Sequence, residues 1–227
     1  MMTSDSRLFR SVLEAVTQIL KESEGAHDLD HTLRVLNNAA LLAEEENLSA
    51  RDRQILFLSC LLHDCARPEE FHSGGKVCHA LLGGPKAEKI LRENSCTDED
   101  LICRVSHAVT RHRYRGKEQP VTLTDKLLYD ADKLDSIGAV GIGRAFHFAG
   151  RIGARVHNTE EEALASEAYT REDSAYREYL VKLRHVAGRM LTGSGKRLAA
   201  QRSAFMEEFF RELKAETSSG NGLFPEK

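Results

Sequence analysis

Apolar residues recur along this chain at spacings of three and four, and strand-like alternation is hard to find, so the pattern predicts helices. Residues 3–22 carry Leu8, Val12, Ala15, Ile19 and Leu20 on one stripe, with Gly25 just beyond, where helices commonly stop. A second helix is expected from Asp28 to Glu46, with Leu33, Leu36, Ala40 and Ala43 on one side. Ser49 followed by Asp52 predicts a cap for a third, which runs through the apolar stretch Ile55 to Leu62 and ends in His63-Asp64. Pro68 keeps Arg67 out of helical geometry, so residues 66–76, with Gly74 and Gly75, read as a loop.

Further on, a helix is expected over Val77–Asn94, with a break at Gly83-Gly84-Pro85, then one capped by Thr97 with Leu101, Val105, Ala108 and Val109 as its apolar face. After a polar stretch at 113–119, Leu123–Leu134 reads as helix and continues past Ser136 into Ile142–Phe148. Residues 155–175, with Glu160-Glu161-Glu162, read as a loop or lid. Two amphipathic helices, 174–191 and 196–217, close the chain, the last with Leu198, Phe205, Phe209 and Leu213 on one side. The expectation is an all-α fold.

Composition narrows the class. The 227 residues suit one domain, able to bury roughly 70% of its unfolded surface without a staple. A net charge of −3 argues against a nucleic-acid coat or a polybasic membrane patch. No run reaches 18 apolar residues, and the N-terminus lacks the order of a signal peptide. The five cysteines include no C-x-x-C pair, which reads as reduced thiols in a cytoplasmic protein, with Cys60 and Cys103 in the core.

The chemistry centres on His63-Asp64. A buried run that ends in an imidazole and a carboxylate costs several kcal/mol unless something satisfies them, and a metal ion is the strongest candidate. Seven of the ten histidines fall between His27 and His112, and the acidic residues Asp130, Asp132 and Asp135 follow. His31, His63-Asp64 and Asp132 lie on three different predicted helices, as ligands do when they converge in a bundle core. This mixed nitrogen and oxygen set suits a divalent ion, Mn²⁺, Fe²⁺, Co²⁺, Ni²⁺ or Zn²⁺ ahead of Mg²⁺.

The phrases His31-Thr-Leu-Arg34-Val35, Leu61-Leu62-His63-Asp64 and Asp130-Ala-Asp132-Lys133-Leu134-Asp135 resemble, in order, the H…HD…D pattern of HD-domain metal-dependent phosphohydrolases. The likeness extends over most of residues 26–210. It is strongest to the single-domain YedJ and YpgQ kind, through Ile137-Gly138-Ala139 and the stretch Met190 to Glu207 with Lys196, Arg197 and Arg202. The resemblance implies a helical HD domain over 1–227, with a metal-site core at 26–135, a helical extension at 136–217 and a tail at 218–227. It implies His31, His63, Asp64 and Asp132 as metal ligands, with metal-activated water attacking a phosphoryl group. The substrate would be a nucleotide, with nucleoside triphosphate pyrophosphohydrolysis favoured, or another small phosphate compound. A non-catalytic nucleotide- or metal-binding module and a di-iron oxygenase are the alternatives.

Other residues are candidates around that centre. His79 and His112, and with less weight His107, suit a second metal or a substrate phosphate, and His27 shares a helix face with His31. Arg34, Lys133 and Arg144 suit phosphate binding, Arg34 because it stands one turn after His31. Asp130 and Asp135 suit orientation of histidine ligands from behind. Relatives specific for deoxynucleoside monophosphates carry H-D-x-x-E, yet this chain has Arg67 there; Glu70 is the candidate substitute, catalytic or orienting. Gly138, Gly141 and Gly143 lack the strand–turn–helix setting of a phosphate loop and read as close helix packing. Arg111, Arg113, Arg115 and Lys117 read as a solvated basic loop. The final amphipathic helix suits a homodimer as readily as it covers the core.

Overall fold

The apolar stripes become helices in the computed structural model, which describes residues 4–21, 28–113 and 118–217. Gly25, His27, Arg115, Lys117 and the tail 218–227 lie outside the described residues. Among those described there are eleven α-helices, two short 3-10 turns and no strand, so the protein is all-α. None of the helices is long and apolar enough to cross a membrane. The chain divides into two compact units, Met1–Asp132 with Leu191–Gly195, and Lys133–Met190 with Lys196–Lys227.

The first unit contains α1 (Ser4–Leu20), α2 (Leu29–Glu45), α3 (Ala50–Leu62), α4 (Arg67–His72), α5 (His79–Glu93), α6 (Glu99–Arg111) and most of α7 (Leu123–Leu134). The unbroken apolar run of α3 follows from its position, because a helix surrounded by others has no face to give to water. Its Ile55, Leu58, Leu61 and Leu62 are buried among Val12, Val16 and Leu20 of α1, Ala87, Ile90 and Leu91 of α5, and Leu101, Ile102, Val105 and Val109 of α6. Each such side chain contributes roughly 1.5–3 kcal/mol on burial.

Local chemistry sets the ends of these helices. Ser49 accepts from Asp52 N at 3.1 Å and caps α3 as expected, while Asp28, expected as the first helical residue, accepts from His31 N at 2.9 Å and caps α2. The cap of α6 is Asp98, accepting from Leu101 N at 3.0 Å, and not Thr97. Residues 67–72 form a helix, not the expected loop, because Pro68 falls in the first turn, where a missing N–H costs nothing. Pro85 sits inside an unbroken α5. There the two glycines serve packing: a Cβ on Gly84 would lie 2.1 Å from Thr110 Oγ1, so its absence lets α5 and α6 close on each other. Cys103 is exposed, not core, because it lies on the face of α6 opposite Leu101, Val105 and Val109, whereas Cys60 is fully buried.

The second unit contains α8 (Gly138–Arg151), α9 (Glu160–Ala165), α10 (Ala175–Val181), 3-10 turns at Leu183–His185 and Ala187–Arg189, and most of α11 (Gly193–Thr217). The continuous helix expected through Ser136 is broken. Ile137 is extended and Gly138 takes φ +75°, a left-handed conformation that favours glycine. A Cβ on Gly141 would meet Ser136 O at 2.3 Å, so this glycine does serve close packing. Glu160-Glu161-Glu162, expected in a loop, open α9 through a capping box with Thr159, where carboxylates complement the helix N-terminus. The single helix expected over 174–191 is α10 followed by the two turns. In α11 the buried apolar side chains are Ala199, Met206 and Phe210, and Phe205 is about half exposed, so the stripe lies one position on from the expected one. Phe210 stacks on Tyr179 at 4.5 Å between ring centroids and meets Phe209 edge-on at 5.2 Å.

Candidate metal centre

Two helices of the first unit end in the same way. His63 caps α3 and its Nδ1 lies 2.7 Å from Cys60 O; His112 caps α6 and its Nδ1 lies 2.7 Å from Val109 O. Each ring donates to an otherwise orphaned carbonyl of the last helical turn, which fixes the proton on Nδ1 and leaves Nε2 with its lone pair. His79 reaches the same state at the start of α5, where Nδ1 lies 2.8 Å from Glu70 Oε2. Burial lowers the pKa of His112 to about 3, helped by His63, so this imidazole is neutral at ordinary pH.

These nitrogens lie close to one another and to His31. His63 Nε2 stands 3.3 Å from His31 Nε2, and His79 Nε2 stands 3.2 Å from His112 Nε2. Where Nδ1 holds the proton, two Nε2 atoms cannot hydrogen-bond, and without a cation between them they repel. Donor atoms gathered around one ion at about 2.0–2.2 Å lie about 3.0–3.5 Å apart, which is the spacing seen in both pairs. Asp64 joins them. Its Oδ2 lies 3.5 Å from His63 Nε2 and 3.7 Å from His31 Nε2, while Oδ1 lies 3.1 Å from His79 Nε2 and 3.8 Å from His112 Nε2. His31, His63 and Asp64 thus form one buried set able to hold a metal ion, and Asp64, His79 and His112 form another. The residues fit such ions. Cys60 and Cys65 flank the pair, but burial pushes both thiols up, Cys65 to about 12, so neither is a thiolate ligand.

The tertiary structure assembles this centre from separate helices. Asn38 of α2 donates to Ala131 O of α7 at 3.0 Å, which draws the neighbouring Asp132 towards His31. Asp132 Oδ1 then lies 3.5 Å from His31 Nε2. Against the centre, Glu70 accepts from His79 and from Arg67 Nη1 at 2.7 Å on Oε2, and from Arg113 Nη1 at 2.8 Å on Oε1. Burial opposes the charge on Glu70, but His79, Arg67 and Arg113 outweigh it and hold its pKa below the ordinary value.

Comparison with known proteins matches this arrangement to a family. The HD domain model covers residues 28–137. YpgQ of Bacillus subtilis is 33% identical over 206 residues, spanning 87% of this chain and 88% of that protein. The chain belongs to the HD-domain family. Among solved structures, that of B. subtilis YpgQ in complex with ADP aligns at a TM-score of 0.69 with 26% identity, covering 94% of this chain and 97% of that one. A predicted HD superfamily hydrolase from an uncultured Thermotogales bacterium aligns at 0.64 with 29% identity, covering 91% of each.

This HD-domain chain gives the other candidates different positions. His107 is exposed on α6 with its ring against Cys103, so it does not join His79 and His112. The Asp130 carboxylate accepts from Leu191 N at 2.8 Å, Thr192 N at 2.9 Å and Thr192 Oγ1 at 2.6 Å, which ties that segment to α7. In the second unit Arg144 Nη1 pairs with Asp135 at 2.5 Å. Lys133 belongs to the same unit, and Arg34 is partly buried on α2. Arg113, expected in a solvated basic loop, is instead partly buried against Glu70, and Arg67 lies on Asp64. The spacing of Arg67 and Glu70 was the one legible trace of this arrangement, since i and i+3 face each other once residues 67–72 are helical.

Proposed function

We propose that this protein is a metal-dependent phosphohydrolase that acts on a nucleotide, with pyrophosphohydrolysis of nucleoside triphosphates as the favoured reaction. The observation that carries this reading is the pairing of four imidazole Nε2 atoms, at 3.3 and 3.2 Å, on either side of one buried carboxylate. His31, His63, Asp64 and Asp132 would hold one divalent ion, and Asp64, His79 and His112 a second. Such an ion lowers the pKa of bound water and neutralises charge on phosphoryl oxygens. The chain's own residues prepare the site: Cys60 O and Val109 O hold His63 and His112 in the ligating tautomer, and Glu70 does the same for His79. Arg34 is the candidate for gripping substrate phosphate. The ADP complex of B. subtilis YpgQ supports a nucleotide as the substrate class.

The test is elemental analysis of the purified protein, followed by a screen of nucleoside triphosphates, diphosphates and generic phosphate esters with Mn²⁺, Mg²⁺, Co²⁺ and Ni²⁺. Release of pyrophosphate or phosphate from at least one of them is expected. A filled metal site with no turnover of any phosphate compound would sink the hydrolase and leave the binding module. The Asp64, His79 and His112 set also meets what a di-iron oxygenase needs, and two irons per chain with oxygen-dependent turnover would select that reading. Asp132→Ala is expected to lose bound metal; an unchanged metal content would remove Asp132 from the ligands.

A further inference from the structure

The two halves of the centre are not equivalent, because Arg67 lies on only one oxygen of Asp64. Its Nε donates to Oδ1 at 2.9 Å, the same oxygen that faces His79 Nε2 at 3.1 Å and His112 Nε2 at 3.8 Å. Arg67 is held in that place from its other end, where Nη1 meets Glu70 Oε2 at 2.7 Å. The same Glu70 oxygen accepts from His79 Nδ1, and Arg113 Nη1 approaches that nitrogen to 3.4 Å. Two guanidinium groups therefore flank the His79 half, with one carboxylate between them. On the Oδ2 half the donor set gains a carboxylate instead, through Asp132 at 3.5 Å from His31.

We infer that Arg67 sets the metal count, making the Asp64–His79–His112 set a weak site that fills only after the His31–His63–Asp64 set. Two physical effects act together. A guanidinium hydrogen-bonded to a carboxylate oxygen withdraws the electron density that a metal ion would share, and a like charge beside that ion disfavours its binding. Both effects act most strongly at Oδ1, the oxygen that Arg67 touches. The inference rests on the proposed metal centre and concerns how its two halves divide the metal.

Equilibrium titration of the metal-free protein with Mn²⁺ tests it, read by bound metal per chain and by the electron paramagnetic resonance of coupled Mn²⁺ pairs. Wild type is expected to take one ion tightly and a second at least tenfold more weakly, with no pair signal until the second binds. Arg67→Met is expected to tighten the second event tenfold or more, so that the pair signal appears at stoichiometric metal. Arg67→Lys, which keeps the charge, is expected to stay within threefold of wild type. Two equally tight ions in wild type would overturn the inference whether or not Arg67→Met folds. So would a second event that Arg67→Met leaves unmoved. Absence of any bound ion would overturn the metal centre itself, a separate result.

Discussion

Asp64 and Asp130 are both buried carboxylates in the first unit, at 1% and 0% exposure, and they are surrounded differently. Asp130 is met by N–H and O–H donors from Leu191 and Thr192, which share its charge and tie that segment to α7. A Cβ on Gly195 would strike its Oδ2 at 2.2 Å, so the chain closes around this acid. Asp64 is met by four imidazole Nε2 atoms, three of them on rings whose protons point away. Burial alone therefore does not mark a functional acid. The kind of atom gathered around it does: N–H and O–H donors surround Asp130, whereas Asp64, beside its one Arg67 donor, faces imidazole nitrogens that a metal ion would join.

This contrast can be broken by mutation. Asp64→Asn is expected to lose bound metal and to reduce turnover about 10³-fold or more, the scale of the several kcal/mol a metal supplies to a transition state. Metal content at the wild-type level in that variant would end the comparison. Asp130→Ala is expected to do the reverse. It removes the acceptor of two backbone N–H groups and the Thr192 hydroxyl and costs about 3 kcal/mol in urea unfolding, while metal per folded chain stays unchanged. A stability loss under about 1 kcal/mol would deny Asp130 its structural role.

Smaller effects sharpen the picture. Glu70→Ala frees His79 from its brace and is expected to weaken the second, weaker Mn²⁺ event about 10–100-fold in the same titration. An unaltered second event would show that His79 needs no orienting partner. In the metal-free protein the lowered pKa of His112 predicts an acid slope. The unfolded chain takes up this proton near pH 6.5 and the folded one only near about 3, so stability is whole above 6.5 and falls as pH drops towards 3. Thermal unfolding across that window should flatten in His112→Asn; an identical slope would assign the effect to other groups.

Much of the fold was legible because amphipathic spacing and caps act within one turn. The Ser49 cap, the Asp28 start and the helical stripes of α1 and α6 are local features, and they stand where the spacing placed them, whereas α2 buries Val35, Ala39, Leu42 and Ala43 and leaves Ala40 exposed. What misled was equally local in appearance but settled by contact at a distance. Pro85 looks like a break, yet α6 packed against Gly84 keeps α5 continuous. Ser136 looks like helix, yet Ile137 and the left-handed Gly138 stop it.

The candidate site divides in the same way. By itself the sequence determined the chemical types, because a buried helix ending in His63-Asp64 is costly unless partnered, and the ordered phrases around His31 and Asp132 marked the partners. Only the tertiary structure decided what each carboxylate does and where each lone pair points. It brought His79 and His112 to Asp64 and left His107 exposed; it gave Asp130 to Thr192, and it set Arg67 on a single oxygen of Asp64. The reason is physical. Residue type fixes what an atom can donate or accept, but which partner it meets within about 3 Å depends on helices far apart in the chain.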